Sequence, residues 1–173
     1  LNIVVAGETG SGKTSLMKSL AQLIPANQRI VTIEDVHELF LPSHPNHVHM
    51  FYQATASNGT SETTPTDCLK SCLRMKPDRI LLAELRGPET ADFLNVCASG
   101  HGGSITSCHA GSCALAFERL ALMALQARQG LPYDVIRRLL SLVVDVVVHV
   151  THDSAGRHIS DVWYEPAVKR GAA

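Results

Sequence analysis

The stretch Gly7-Glu8-Thr9-Gly10-Ser11-Gly12-Lys13-Thr14 limits what this chain can fold into more than any other. It fits G-x-x-x-x-G-K-[ST] in full. An apolar run, Leu1–Ala6, precedes it, and Leu16, Leu20, Leu23 and Ile24 follow at helical spacing. A strand, a glycine-rich turn and a helix in that order aim the turn's amides and the helix N-terminus at one point, where an anion is stabilised. Glycine lets the backbone come close to that anion without a Cβ clash. Gly7, Glu8, Thr9, Gly10, Ser11, Gly12 and Ser15 form the cradle. Lys13 is placed for the β- and γ-phosphates of a nucleotide, and the Thr14 hydroxyl for Mg²⁺.

The rest of the chain alternates in the same way. The pattern predicts a helix from Lys13 to Ile24, closed by Pro25, and a strand over Arg29–Ile33. A proline-interrupted loop follows over Glu34–Pro45, then a strand over His47–Tyr52. Residues 54 to 64 are rich in Ser, Thr, Asn and Gly and read as a mobile loop. Thr64-Pro65 reads as an N-cap and first helical position for a helix to Met75. Arg79–Ala83 is a strand, Gly87-Pro88 opens a helix to Ser99, and Gly102–Cys108 is a strand. Ser112 caps a helix to Gln129, and Pro132 opens another to Leu142. Val143–Thr151 and Ile159–Tyr164 close the chain as a hairpin around Asp153-Ser-Ala-Gly156. The expected class is α/β: a mainly parallel sheet with helices on both faces and an antiparallel C-terminal hairpin. Residues 1–166 form one domain in this reading, and 167–173 a disordered tail. The opening on Leu1, directly in a strand, reads as a domain cut from a longer chain.

Composition narrows the function. Lys and Arg number 15 and Asp and Glu 16, a net charge of −1. That balance argues against direct nucleic-acid binding. No apolar run approaches the ~20 residues of a membrane helix. The cysteines at 68, 72, 97, 108 and 113 include no C-x-x-C and read as buried free thiols in a reducing compartment. His44, His47 and His49 lack nearby partners in sequence to complete a four-ligand metal set.

Three further stretches carry chemistry. Ile80-Leu81-Leu82-Ala83-Glu84 is a buried strand ending in a carboxylate, at the sheet edge where open α/β folds bind ligands. Glu84 there can hold the Mg²⁺ shell or polarise water. Thr32-Ile33-Glu34-Asp35, with Glu38, clusters acids at the end of another strand. Gly100-His101-Gly102-Gly103-Ser104-Ile105-Thr106-Ser107-Cys108-His109-Ala110 ends a strand on His109, near a γ-phosphate.

In this order the four stretches resemble the type II/type IV secretion ATPases, RecA-like motors with Walker A, Asp, Walker B and His boxes. The detail is most similar to the traffic ATPase of type IV secretion systems, over Leu1 to about Trp163. The resemblance implies the C-terminal ATPase domain of a hexamer using ATP and Mg²⁺. It implies a cytoplasmic protein, peripheral at the inner membrane, with inner-membrane secretion components as partners. By position, Lys13 and Thr14 bind phosphates and Mg²⁺, and Glu84 is the Walker B acid. Glu34, Asp35 and Glu38 form the Asp box. Glu34 belongs to the Mg²⁺ shell, partly through water, and Glu38 is the first candidate to position the attacking water, with the choice among Glu34, Glu38 and Glu84 open. His109 belongs to the His box. Arg74, in Cys-Leu-Arg-Met-Lys-Pro-Asp, falls where related pilus motors place an arginine that reaches a neighbouring subunit. Ala83 stands where Gly is usual, and Gly102 where Pro is common, which leaves the role of His101 open. The residues also admit a P-loop small-molecule kinase, although no arginine-bearing lid is apparent, and a nucleotide-dependent interaction module without turnover. A DNA-translocating motor would need a basic stripe.

Overall fold

A computed structural model of the chain describes residues 1–53, 63–127 and 131–165. Most of the loop expected over 54 to 64, the end of the helix expected to reach Gln129, and the tail 167–173 lie outside the described residues. The elements are β1 (Ile3–Gly7), α1 (Lys13–Ala21), β2 (Ile30–Glu34), β3 (His47–Phe51), α2 (Pro65–Cys72), β4 (Arg79–Leu82) and α3 (Glu89–Ala98). They continue with β5 (Ile105–Cys108), α4 (Cys113–Ala127), α5 (Tyr133–Val143), β6 (Val146–Asp153) and β7 (Gly156–Trp163). A short 3₁₀ turn, Leu73–Met75, extends α2.

The strands form one sheet in the order β3-β2-β4-β5-β1-β6-β7. Every pairing is parallel except β6 with β7, which form the expected antiparallel hairpin. The central strands are apolar because both faces are covered. Their period of two sorts the side chains. Val4, Ala6, Val31, Ile33, Ile80 and Leu82 point to one core, shared with α2, α3, α4 and α5. Val5, Ile30, Leu81 and Ile105 point to the other, with Met17 and Ala21 of α1 and with Leu39 and Leu41 of the loop after β2.

Local chemistry sets the boundaries. The Thr64 hydroxyl accepts from the Asp67 amide while the Asp67 carboxylate accepts from the Thr64 amide, a reciprocal cap at the start of α2. The Leu115 amide donates to the Ser112 hydroxyl at 3.1 Å, the expected cap of α4. The strand expected from Gly102 begins only at Ile105, because the amides of Gly103 and Ser104 donate to the Asn2 side chain at 2.8 and 3.1 Å instead of to a ladder. The strand expected from Val143 begins at Val146. Val143 completes α5, and the Asp145 and Val146 amides both turn to the Asn2 carbonyl. Helix α1 stops at Ala21 rather than Ile24, and tight turns from Leu23 to Leu20 and from Ile24 to Ala21 finish it.

Candidate nucleotide site

In a parallel sheet the C-terminal ends of the strands share one edge. Between β2 and β6 the order is β2-β4-β5-β1-β6. The glycine-rich loop leaves β1, His109 follows β5, Glu84 follows β4 by two residues, and Asp35 follows β2. Strand β5 lies between β4 and β1, so His109 falls between Lys13 and Glu84. These are the Walker A, His box and Walker B residues of the expectation, brought together by strand order.

The loop has the form of an anion cradle. Gly12 caps α1 at φ 104°, a left-handed conformation, and no side chain takes up the helix's first amides. A Cβ on Gly7 would lie 2.4 Å from the Val150 carbonyl oxygen and 2.5 Å from Ser11 Oγ, so the first glycine is required by contact. Lys13 Nζ donates to the carbonyls of Gly7 at 3.0 Å and Glu8 at 2.9 Å and lies 3.4 Å from His109 Nδ1. Burial pulls the Lys13 ammonium below the usual lysine value, and the Glu84 carboxylate opposes that shift. Ser11 Oγ is buried with no hydrogen-bond partner. The cradle therefore offers open amides, a partly desolvated ammonium and an unpaired hydroxyl, a donor set that fits phosphate. Beside it, Glu8, Thr9, Ser11 and Gly111 line a cavity of about 210 Å³ with His149–His152 of β6. From β7, Arg157 Nε donates to the Gly10 carbonyl at 3.2 Å, and its Cδ would lie 3.1 Å from a Cβ on Gly12.

The acids are set by a second arginine. Arg86 Nε and Nη2 lie 2.8 and 2.7 Å from Glu84 Oε2, and Arg86 Nη1 lies 2.7 Å from Asp35 Oδ2. The hydrogen bond to Glu84 is the largest of the effects that hold the guanidinium above its usual value, against burial. Glu84 Oε1 lies 2.7 Å from His109 Nε2, yet it is buried and accepts no aligned hydrogen bond. A carboxylate oxygen with an unused lone pair, on the same sheet edge as the glycine-rich loop that leads into Thr14, fits the outer shell of Mg²⁺.

Glu34 does not fit the metal-shell expectation. It is fully buried, and both oxygens are engaged. Oε2 accepts the Glu38 and Leu39 amides at 2.8 Å each. Oε1 accepts the Thr32 hydroxyl at 2.8 Å and faces His49 Nδ1 at 3.4 Å. Its visible job is to hold the loop that carries Asp35 and Glu38. Glu34, His37 and His49 do bring one potential ligand atom each within 4.8 Å of the others, a grouping that spacing in sequence did not reveal, but Thr32 already bridges Glu34 and His49. Glu38 is exposed, and among the described residues no interaction ties its side chain to Lys13 or Glu84. Arg74 is exposed in the 3₁₀ turn before β4 begins, at the edge opposite the glycine-rich loop. His101, before β5, is at that far edge too, with Nδ1 buried and unpartnered. Neither can reach its own chain's cradle.

Sequence reasoning missed Arg86 and Arg157. Arg86 carried a usable signal, a cation two residues beyond a strand-terminal acid. Arg157 lies far along the chain from the loop it touches, and nothing local marks it.

Residues 1–164 match the family described as type II/IV secretion system protein. The chain belongs to this family. Relatives within it include the type IV secretion system protein VirB11 of Brucella abortus, 71% identical over 174 residues, which cover 97% of this chain and 48% of that protein. PtlH of Bordetella pertussis is 50% identical over 167 residues, 94% of this chain and 49% of that protein. The crystal structure of the Brucella suis VirB11 ATPase in complex with sulphate superposes with a TM-score of 0.90 at 69% identity, over 98% of this chain and 50% of that one. The chain thus spans about half the length of its relatives. The secretion-family fold agrees with the expected architecture, hairpin included. Among the described residues, no helix is long and apolar enough to cross a membrane.

Proposed function

We propose that this chain is the ATP-hydrolysing domain of a bacterial type IV secretion motor, taking ATP with Mg²⁺. The observation that carries the reading is the convergence of Lys13, His109 and Glu84 at the mouth of the glycine-rich loop. The family membership and the anion-bound state of the Brucella suis relative support it. Mg²⁺, held by Thr14 and Glu84, would supply charge neutralisation on the phosphates. The loop amides and Lys13 bind and neutralise the β- and γ-phosphates. Ser11 Oγ adds a donor. Glu84 Oε1 accepts a hydrogen bond from the attacking water and orients it, and His109, with Nε2 2.7 Å from that oxygen, lines the same spot. Glu38 lies on the loop at the same sheet edge as a further candidate for the water. Arg74, at the far edge, acts on a neighbouring subunit's nucleotide. The complete protein works as a homohexamer, peripheral at the cytoplasmic side of the inner membrane and docked on secretion-system components.

The test is Lys13→Ala in the full-length protein. Phosphate release with Mg-ATP should fall roughly 10²- to 10³-fold, the loss seen when one transition-state donor is removed. A wild-type rate in that variant sinks the assignment.

A further inference from the structure

Arg86 is the residue that no motif claimed. Two of its nitrogens meet one oxygen of Glu84, and the third meets Asp35. Its side chain is 51% exposed, while the acids it reaches are 11% and 21% exposed. Its backbone is pinned as well: the Arg86 and Gly87 amides donate to Glu89 Oε1 at 2.7 and 2.8 Å, and Glu89 is buried.

We propose that Arg86 is a positioning residue for hydrolysis: it fixes the rotation of the Glu84 carboxylate and ties that orientation to the Asp35 loop. The inference rests on the functional reading above. Both donors fall on Oε2, so the guanidinium holds that oxygen in place and leaves Oε1 as the oxygen facing His109 and, beyond it, Lys13. A lysine offers one point charge and lacks the rigid planar fork that spans Glu84 and Asp35. The other end of the guanidinium holds Asp35, whose loop is itself held by Glu34 through the Glu38 and Leu39 amides. A displacement of that loop is thereby transmitted to the acid that handles water. Arg86 is half exposed but Glu84 is buried, so Arg86→Ala also costs some stability, and the melting temperature of each variant separates that loss from the loss in kcat.

The experiment uses the full-length protein as wild type, Arg86→Ala, Arg86→Lys, Asp35→Asn, Glu84→Gln and the double variant Glu84→Gln/Arg86→Ala. It measures ATP hydrolysis in steady state and single turnover, and ADP binding by calorimetry. Arg86→Ala should lower kcat by about 10- to 100-fold, the usual cost of losing a partner that orients an active-site ligand, while leaving KM and ADP affinity nearly unchanged. Arg86→Lys should restore only part of that loss. Asp35→Asn should lower kcat by a smaller factor. Because Arg86 acts through the charged carboxylate, the double variant should be no slower than Glu84→Gln alone. Three results each overturn the inference: wild-type kcat in Arg86→Ala, a loss of ADP affinity as large as the loss in kcat, or a full additional loss in the double variant. A wild-type protein that hydrolyses no ATP would instead refute the functional reading, and the inference with it.

Discussion

Gly7→Ala tests the cradle at its most constrained point. Gly7 ends β1 and pairs with Val150 of β6, so the new methyl meets the backbone of its own ladder partner. The Cβ would lie 2.4 Å from the Val150 carbonyl oxygen, 0.6 Å inside the 3.0 Å that real contacts respect. The Ser11 hydroxyl, at 2.5 Å, can rotate away, but the Val150 carbonyl is held by the sheet. The ladder must therefore open where the phosphate loop begins. Overpacking of this kind costs about 1–3 kcal/mol. In a domain of this size that is a fall of about 2–12 °C in melting temperature. The binding defect should exceed the stability defect in consequence, because a misplacement approaching 1 Å in a positioning element costs up to ~10²-fold. Scanning fluorimetry of the variant, with and without Mg-ADP, reads both. The expected pattern is a lowered melting temperature without ligand and little or no further rise when ligand is added. Wild-type melting together with wild-type ADP affinity would refute the steric reasoning.

Mixing Arg74→Ala subunits with Glu84→Gln subunits should partly restore ATP turnover, since some interfaces then join an intact Arg74 to an intact Glu84; no recovery in mixed rings shown to form would place Arg74 in its own subunit's fold. Burial pushes the thiols of Cys97 and Cys108 up to about 12 and those of Cys72 and Cys113 up to about 11. Iodoacetamide at mildly alkaline pH should leave all of these unlabelled in the native protein and label them in denaturant, and mass spectrometry of the intact protein decides. Burial, helped by His37 and His47, holds the His49 imidazole below its usual value, with Glu34 opposing. The native state thus takes up this proton later than the unfolded chain as pH falls. The stability it contributes is complete above about pH 6.5 and is lost as pH drops through the lower folded value. His49→Gln should flatten the acid-side fall of the melting temperature, and an unchanged slope in thermal scans would contradict the assignment.

The sequence alone determined the element types, the glycine-rich cradle and the C-terminal hairpin. Each rests on local physics: valine-rich runs that pack as strands, a 3.6-residue apolar period, and a turn only glycine can make. That Lys13, Glu84 and His109 share one sheet edge was legible for the same reason, since each stands in a short motif just past the end of a strand. Strand order was not local. That β5 lies between β4 and β1 follows from which apolar faces pack against which helices, and this order is what sets His109 between Lys13 and Glu84. It also brings Arg86 from beyond β4 to Asp35 beyond β2, and it puts Arg74 and His101 at the opposite edge. The role of Glu34 was hidden for a related reason. As letters it is an acid at a strand end, like Glu84. Only the folded loop shows that two amides and a threonine hydroxyl already occupy its oxygens. A buried carboxylate goes to whichever donors the tertiary structure brings within 3 Å, and that choice is made by packing far along the chain.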